Sequence, residues 1–453
     1  MQIDTSELQG LILGNYAKYG FVRHLIFSPD SGDALRAFLL PLLPRILYGT
    51  AEPPPELGWV LNLSLAAAAV EKLAPPDLFR RTESAFRGGA EAGTANHDVG
   101  TNAASTWWEG RFRTPWASCF LHIHAISPDA LDAGTDHVLA AAATAGVAEL
   151  IARADGSRLD ARFIAPGPNG GARIHFGYVD GLSKSAVSWT DPPTPQRPVN
   201  FRSVLIGYNE DAFPSAPANA QAAAFFRNSS YAVFRWLYQD VAGFERFLGE
   251  QGPRLYPNED PAHGREILAA KLMGRWRDGT PLMCSPDAPD PSLTQADFDY
   301  LDDPAGGVCP ASCHIRVMNP RSQQLFGPAA TTGVPQIVRR GMSYGPVLEG
   351  SQDDGVDRGI LGMFVCASIR EQFLRLLAWG NRNDFSRTFL AHGRDQDALV
   401  GNRAFPGATR EFRIPGAANG GVASGLPDFI RTKGTQFLMM MSRPTMERLF
   451  SPQ

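Results

Sequence analysis

Through the first third of the chain, short apolar or alternating runs are separated by longer stretches with helical spacing. GFVRHLIFSP (20–29) reads as a strand, SGDALRAFLLPLLPRIL (31–47) as a helix with Ser31 at its N-cap, and WVLNLSL (59–65) as a second strand. LAAAAVEKLAP then predicts a helix stopped by Pro75 and Pro76. WASCFLHIHAIS predicts a strand, DHVLAAAATAG a helix ending at Gly146, and VAELIARA a last strand. Strand, helix, strand, strand, helix, strand is the ferredoxin-like order, so the expected fold class is α+β with an antiparallel sheet. The Gly/Ala/Thr-rich interval from Gly88 to Ser105 is expected to be a long loop. His122 and His124 sit two apart in the third strand and so on one face; a metal pair would need further ligands, none suitably spaced, and a core pair is the expected reading.

The Pro-rich link DPPTPQRPVN (191–200) predicts the boundary between an N-terminal domain, 1–195, and a C-terminal one, 196–453. Past it, FRSVLIGYNED predicts a strand entering a turn. Tyr231–Tyr238 alternate as a strand, Asp240 can cap the helix that follows, and REILAAKLMGRWRDGTPL is a helix running into Gly279 and Pro281. A strand from Ile360 to Ala367, a helix from Ile369 to Trp379 and a final strand and helix complete the pattern, which suggests a second ferredoxin-like domain. No repeat of fixed period relates the halves.

Composition narrows the function classes. The 453 residues carry a net charge of -4 and no Lys/Arg run, which argues against a nucleic-acid partner. No stretch approaches the 18 or so consecutive apolar residues of a spanning helix, so no membrane is expected. The N-terminal segment shows neither a secretory pattern nor twin arginines, and five cysteines (Cys119, Cys284, Cys309, Cys313, Cys366) fit reduced thiols. The expected location is cytoplasmic; assembly into homo-oligomers is left open.

Candidate chemistry concentrates in CPASCHIRVMNPRSQQLFGPAATTGVPQIVRRGMSYG (309–345). His314 lies there among Arg316, Arg321, Arg339 and Arg340, an imidazole able to bind a metal beside guanidiniums able to clamp an anionic cofactor. A second candidate is Asp180, held between Gly177 and Gly181 in GYVDG, where two glycines permit a tight turn with an acid at its apex; such an Asp is otherwise a plain turn former.

In order and spacing, DTSELQG, GYVDG, RNSSYAVFR, GRW, CPASCHIRVMNPR, VRRGMSYG, RGILGMFVC and the terminal RTKG strand resemble the dye-decolorising peroxidases. The resemblance implies two ferredoxin-like domains, with haem held mainly by the C-terminal one. It implies a haem peroxidase that uses hydrogen peroxide to oxidise aromatic donors such as dyes and phenols in one-electron steps through a ferryl intermediate. His314 would be the proximal iron ligand. Asp397, in DALVG where the family has a proline in place of Ala398, would accept from its other ring nitrogen. Asp180 would be the distal base and Arg339 the distal cation, preferred over Arg340 by the match of VRRGMSYG to the family pattern; alternating strand residues face opposite sides, so only one of the two arginines can reach the haem. Leu361 and Phe364 would be the apolar distal pair, and Arg227, Arg316 and Arg321 would contact propionates. Cys309 and Cys313 before His314 form a spacing one residue longer than the c-type attachment motif; attachment would need an exported apoprotein, and the family often keeps a small residue where Cys313 stands, so the cofactor the resemblance implies is non-covalent haem b. Two other readings stay open: a protein that stores or processes haem, and a haem-free scaffold of the same fold.

Overall fold

The computed structural model describes residues 1–164, 172–182, 187–193, 199–208, 220–383, 385–388 and 395–450. Eight strands form one antiparallel sheet: β1 (Phe21–Phe27), β2 (Trp59–Ala66), β3 (Cys119–Ala125), β4 (Leu159–Arg162), β5 (Ser230–Gln239), β6 (Val338–Tyr344), β7 (Gly359–Cys366) and β8 (Ile430–Met440). The spatial order is β4-β1-β3-β2-β8-β5-β7-β6, so each half contributes the same 4-1-3-2 arrangement and the two meet where β2 pairs β8 through Ala66↔Leu438 and Leu65↔Met439. The fold is α+β with two ferredoxin-like units, as expected.

The sheet curls until its edge strands, β4 and β6, come together. Its concave face is consequently a packed interior, in which the His24 ring of β1 meets the Phe234 ring of β5 at 5.1 Å although three strands separate theirs in the sheet. Several polar side chains in this interior are matched to one another. His24 Nδ1 lies 2.8 Å from His122 Nδ1, His122 Nε2 lies 2.7 Å from Ser64 Oγ, and Tyr16 donates to Asn62 at 2.7 Å. His124 packs edge-on against Tyr16.

Side-chain caps mark the starts of four of the longer helices. Ser31 Oγ accepts from Ala34 N, Ser127 Oγ from Ala130 N, Asp240 Oδ1 from Gly243 N and Asp260 Oδ1 from Ala262 N, each capping the helix that follows. The helix after Ser31 ends at Leu39, and Pro41 and Pro44 carry the next residues as a 3₁₀ turn.

Three expectations differ from the structure. VAELIARA is not a strand beyond one bridge, Phe27↔Glu149, because its charged residues are engaged elsewhere: Glu149 with Arg158, and Arg153 with Asp357. The edge place beside β1 goes to Leu159–Arg162, where Asp160 holds Arg23 at 2.6–2.7 Å. Within the expected loop, Ser84–Thr94 is a helix kinked at Gly89, and its small residues allow close packing, with Gly93 against Phe437. FRSVLIGYNED opens with a 3₁₀ turn, Phe201–Ser203, and buries Val204, Leu205 and Ile206 without pairing as a strand; its residues 209–211 lie outside the described ones. The link proposed as the domain boundary lies partly outside them too, at 194–198.

Burial pushes the His122 and His124 imidazoles down to about 3, and His24 is lowered as well, first by burial and then by its histidine neighbours. The unfolded chain therefore binds more protons than the folded one below the ordinary histidine range, near pH 6.5, and the associated stability is lost as pH falls from there toward 3. Denaturant titrations at pH 7 and pH 5 should show an acid loss on the order of 1–2 kcal/mol for each of His122 and His124. His122→Gln should reduce that pH dependence.

Candidate active site

His314 opens the short helix His314–Met318, and its Nδ1 lies 2.9 Å from Asp397 Oδ2. The Asp397 side chain is fully buried; its other oxygen accepts from Leu399 N (2.8 Å) and Val400 N (2.9 Å), and the backbone is tied by Asp397 N to Gly380 O and Ala398 N to Ser312 O. A carboxylate accepting so many hydrogen bonds fixes both the tautomer and the direction of the ring. Among the described residues Nε2 makes no hydrogen bond, and the ring keeps 21 % of its side-chain surface exposed, so one nitrogen is oriented and the other is free for a metal.

The two cysteines ahead of His314 are buried thiols, their sulfurs 3.2 Å apart. Cys313 and Ile315 lie against Gly274, at the left-handed end of helix Pro261–Met273, where a side chain would collide with them. That same helix and the turn after it anchor GYVDG: Tyr178 donates to Ala269 O of the helix at 2.7 Å, and Val179 N to Arg277 O beyond its end at 3.0 Å. Gly177 (φ 87°) and Gly181 (φ 77°) take the left-handed conformation the turn requires. Asp180 is exposed at its apex, with Oδ1 accepting from Gly181 N at 2.7 Å, and it makes no ion pair among the described residues.

Strand alternation in β6 separates the two arginines. Arg340 faces inward and donates to Leu11 O, Ile12 O and Arg339 O, while burial lowers it to about 10. Arg339 faces the convex side, exposed, and stands opposite Phe364 of β7 in register. Next to that pair Gly341 stands opposite Gly362, leaving a strip of bare backbone; a Cβ on Gly362 would touch only the fringes of Phe364 and Ile360. Ile337, two residues before Arg339, packs in one cluster with Val317 of the His314 helix and with Trp379.

Other expected contacts fall elsewhere. Leu361 is three residues from Phe364, hence on the opposite sheet face; it lines a cavity of about 20 Å³ with Arg340, His24 and His124, room for a water or so. The convex-face neighbours of Phe364 are instead Gly362 and Ile360. Arg316 is fully buried and its donors are spent on Asp303, Cys309 O and Gln323, so it is a structural arginine. Arg321 pairs with Asp297 and lies 3.8 Å over the Phe298 ring. Arg227 is exposed and stacked on Tyr208, to which its Nε also donates.

Sequence reasoning missed a buried ion pair on the same convex face. Arg235 of β5 stands opposite Gly362 and pairs at 3.0 Å with Asp98; among the described residues the second Asp98 oxygen, the neighbouring His97 Nδ1 and both amide atoms of Asn383 are buried without a hydrogen-bond partner. The arginine's place opposite RGILGMFVC was readable from strand alternation, but nothing local in NHDVG announced its partner.

No family model matches the chain. A dye-decolorizing peroxidase of Mycetinis scorodonius is 28 % identical over 264 residues, covering 54 % of this chain and 49 % of that protein. One from Mycena epipterygia is 33 % identical over 234 residues, covering 47 % and 43 %. The matched stretch thus spans about half the length of these curated relatives. Among solved structures, a variant of the dye-decolorizing peroxidase from Pleurotus ostreatus superposes with a TM-score of 0.82 at 22 % identity, covering 100 % of both chains. An ancestral D-type dye decolorizing peroxidase gives 0.80 at 24 %, again over 100 % of both. The chain shares the fold of these solved structures along its whole length. In sequence the chain is similar to curated dye-decolorizing peroxidases over about half of its length.

A carboxylate with this many backbone donors is expensive to delete. Asp397→Ala should lower the unfolding free energy by about 2–4 kcal/mol in denaturant titration, since it leaves buried donors unmet. Asp180→Ala, at an exposed apex, should stay within about 0.5 kcal/mol of the parent.

Proposed function

We propose that the chain is a haem peroxidase using hydrogen peroxide to oxidise aromatic donors such as dyes and phenols. The observation that carries this reading is the imidazole of His314, oriented through Nδ1 by Asp397 and open at Nε2. The residues present suit non-covalent haem b. His314 Nε2 would hold the iron, the Gly341–Gly362 strip leaves room for a flat ring, and Phe364 and Ile360 give it apolar neighbours. Arg339, and the unpartnered polar atoms of His97, Asn383 and Arg235, are the groups suited to propionates, in place of Arg227, Arg316 and Arg321. When bound, haem supplies the two-electron reduction of peroxide and the one-electron oxidation of donors.

The protein's own part is positional and acid–base. Asp397 makes the His314 ring a stronger donor through Nδ1. Asp180 would take the proton from one peroxide oxygen and return it to the other, while the Arg339 guanidinium steadies the charge. In the described conformation Asp180 points at Gly181 N, so this role asks the carboxylate to turn inward from its glycine-flanked apex. The free thiols support a reducing, cytoplasmic setting. Among the described residues no helix is long and apolar enough to cross a membrane.

Reconstitution with haem followed by visible spectroscopy tests the reading. The parent should gain a Soret band and oxidise an anthraquinone dye with peroxide, and His314→Ala should lose most of that band. Asp180→Asn should keep the haem and slow the reaction with peroxide by about 10²–10⁴-fold in stopped flow. A parent without a Soret band, or an Asp180→Asn rate equal to the parent's, would refute the respective assignment.

A further inference from the structure

The His314–Asp397 pair belongs wholly to the C-terminal half, yet the helix that backs it begins on a carboxylate from the N-terminal half. Glu83, only 1 % exposed, accepts three hydrogen bonds at the start of that helix, each 2.8 Å: Ser368 Oγ and Arg370 N on Oε1, and Ile369 N on Oε2. Its own amide donates to Tyr231 Oη of β5 at 3.0 Å. A buried negative charge on the first amides of a helix is held by hydrogen bonds and by the helix dipole together.

The helix starts as a π-helical turn, Ile369–Leu374, and runs on as α-helix through Arg375–Asn381. Its far end is the backing of the site. Gly380 O accepts from Asp397 N at 3.0 Å, Asn381 Oδ1 from Asn402 N at 2.8 Å and Asn381 O from Gln396 Nε2 at 3.3 Å. Gly380 also lies against Met318, in the helix that begins with His314. The helix therefore has one end on Glu83 and the other on the backbone that carries Asp397, and a rigid element transmits displacement along its axis.

We infer that Glu83 is a positioning residue for the His314–Asp397 pair, acting across 231 positions of sequence from His314 through the 369–381 helix. Without its charge, the first turn loses its anchor, the helix is free to shift, and Asp397 is no longer held square to the imidazole. The inference rests on the proposed haem site only for its consequence at the iron; the mechanical link stands on the protein alone.

The experiment has a haem-free and a haem-loaded arm. In haem-free protein, hydrogen exchange at the Asp397 amide should be about ten-fold faster in Glu83→Gln than in the parent, with amides of the β5–β8 pairing unchanged. In haem-loaded protein, Glu83→Gln should shift the iron reduction potential, and in an Asp397→Asn background it should add no further shift, because the shared path is already cut. Unaltered exchange at Asp397, or equal potential shifts in both backgrounds, would overturn the inference. If the parent binds no haem, the proposed function fails while the exchange measurement still decides this one. Should Glu83→Gln not fold, Ser368→Ala, which removes one donor to Glu83 and the cap on Glu371 N at the same helix start, takes its place in both arms, with the same results expected and the same results overturning the inference.

Discussion

The site depends on one buried carboxylate. Asp397 has no solvent to satisfy it, so both of its oxygens are met by protein: two backbone amides on one and an imidazole on the other. A group so completely paired has a single stable position, and the ring bonded to it inherits that position. The free nitrogen of His314 is aimed by this arrangement rather than by the short helix that carries it. A five-residue helix has little rigidity of its own.

Around that pair, the structure works by joining halves. Each half contributes four strands in the same order, and curling brings the outermost strands together, so side chains from both halves share one interior. Arg340 illustrates the joint: it leaves the C-terminal strand and binds the carbonyls of Leu11 and Ile12. On the convex side the N-terminal half reaches over in return, with Asp98 on Arg235 and Glu83 on the 369–381 helix. The face presented to a cofactor is thus framed by residues far apart in the chain.

Periodicity and caps made the individual elements legible. Ser31 and Asp240 cap helices where the spacing placed them, β2, β5 and β7 lie within one residue of the runs that predicted them, and β1 and β3 fall inside theirs. The departure at 147–154 has a physical source: an apolar-looking run whose Glu149 and Arg153 find partners off the sheet. The expected distal pair fails for a different reason. Leu361 and Phe364 differ by an odd number of positions, which strand geometry forbids on one face, so the alternation that separates Arg339 from Arg340 separates these two as well.

By itself the chain's sequence determined which segments become strands and helices, where the tight GYVDG turn falls, and that His314 stands near several cations, since all of these follow from neighbours a few residues away. Only the tertiary structure decided where those cations spend their donors. Arg316 is consumed by Asp303 and Gln323, Arg340 by two carbonyls of the opposite half, and Arg235 acquires a buried acid that lies 137 positions away. The reason is that a guanidinium in a folded interior goes to whatever acceptors the topology delivers to it, and no local pattern records that delivery.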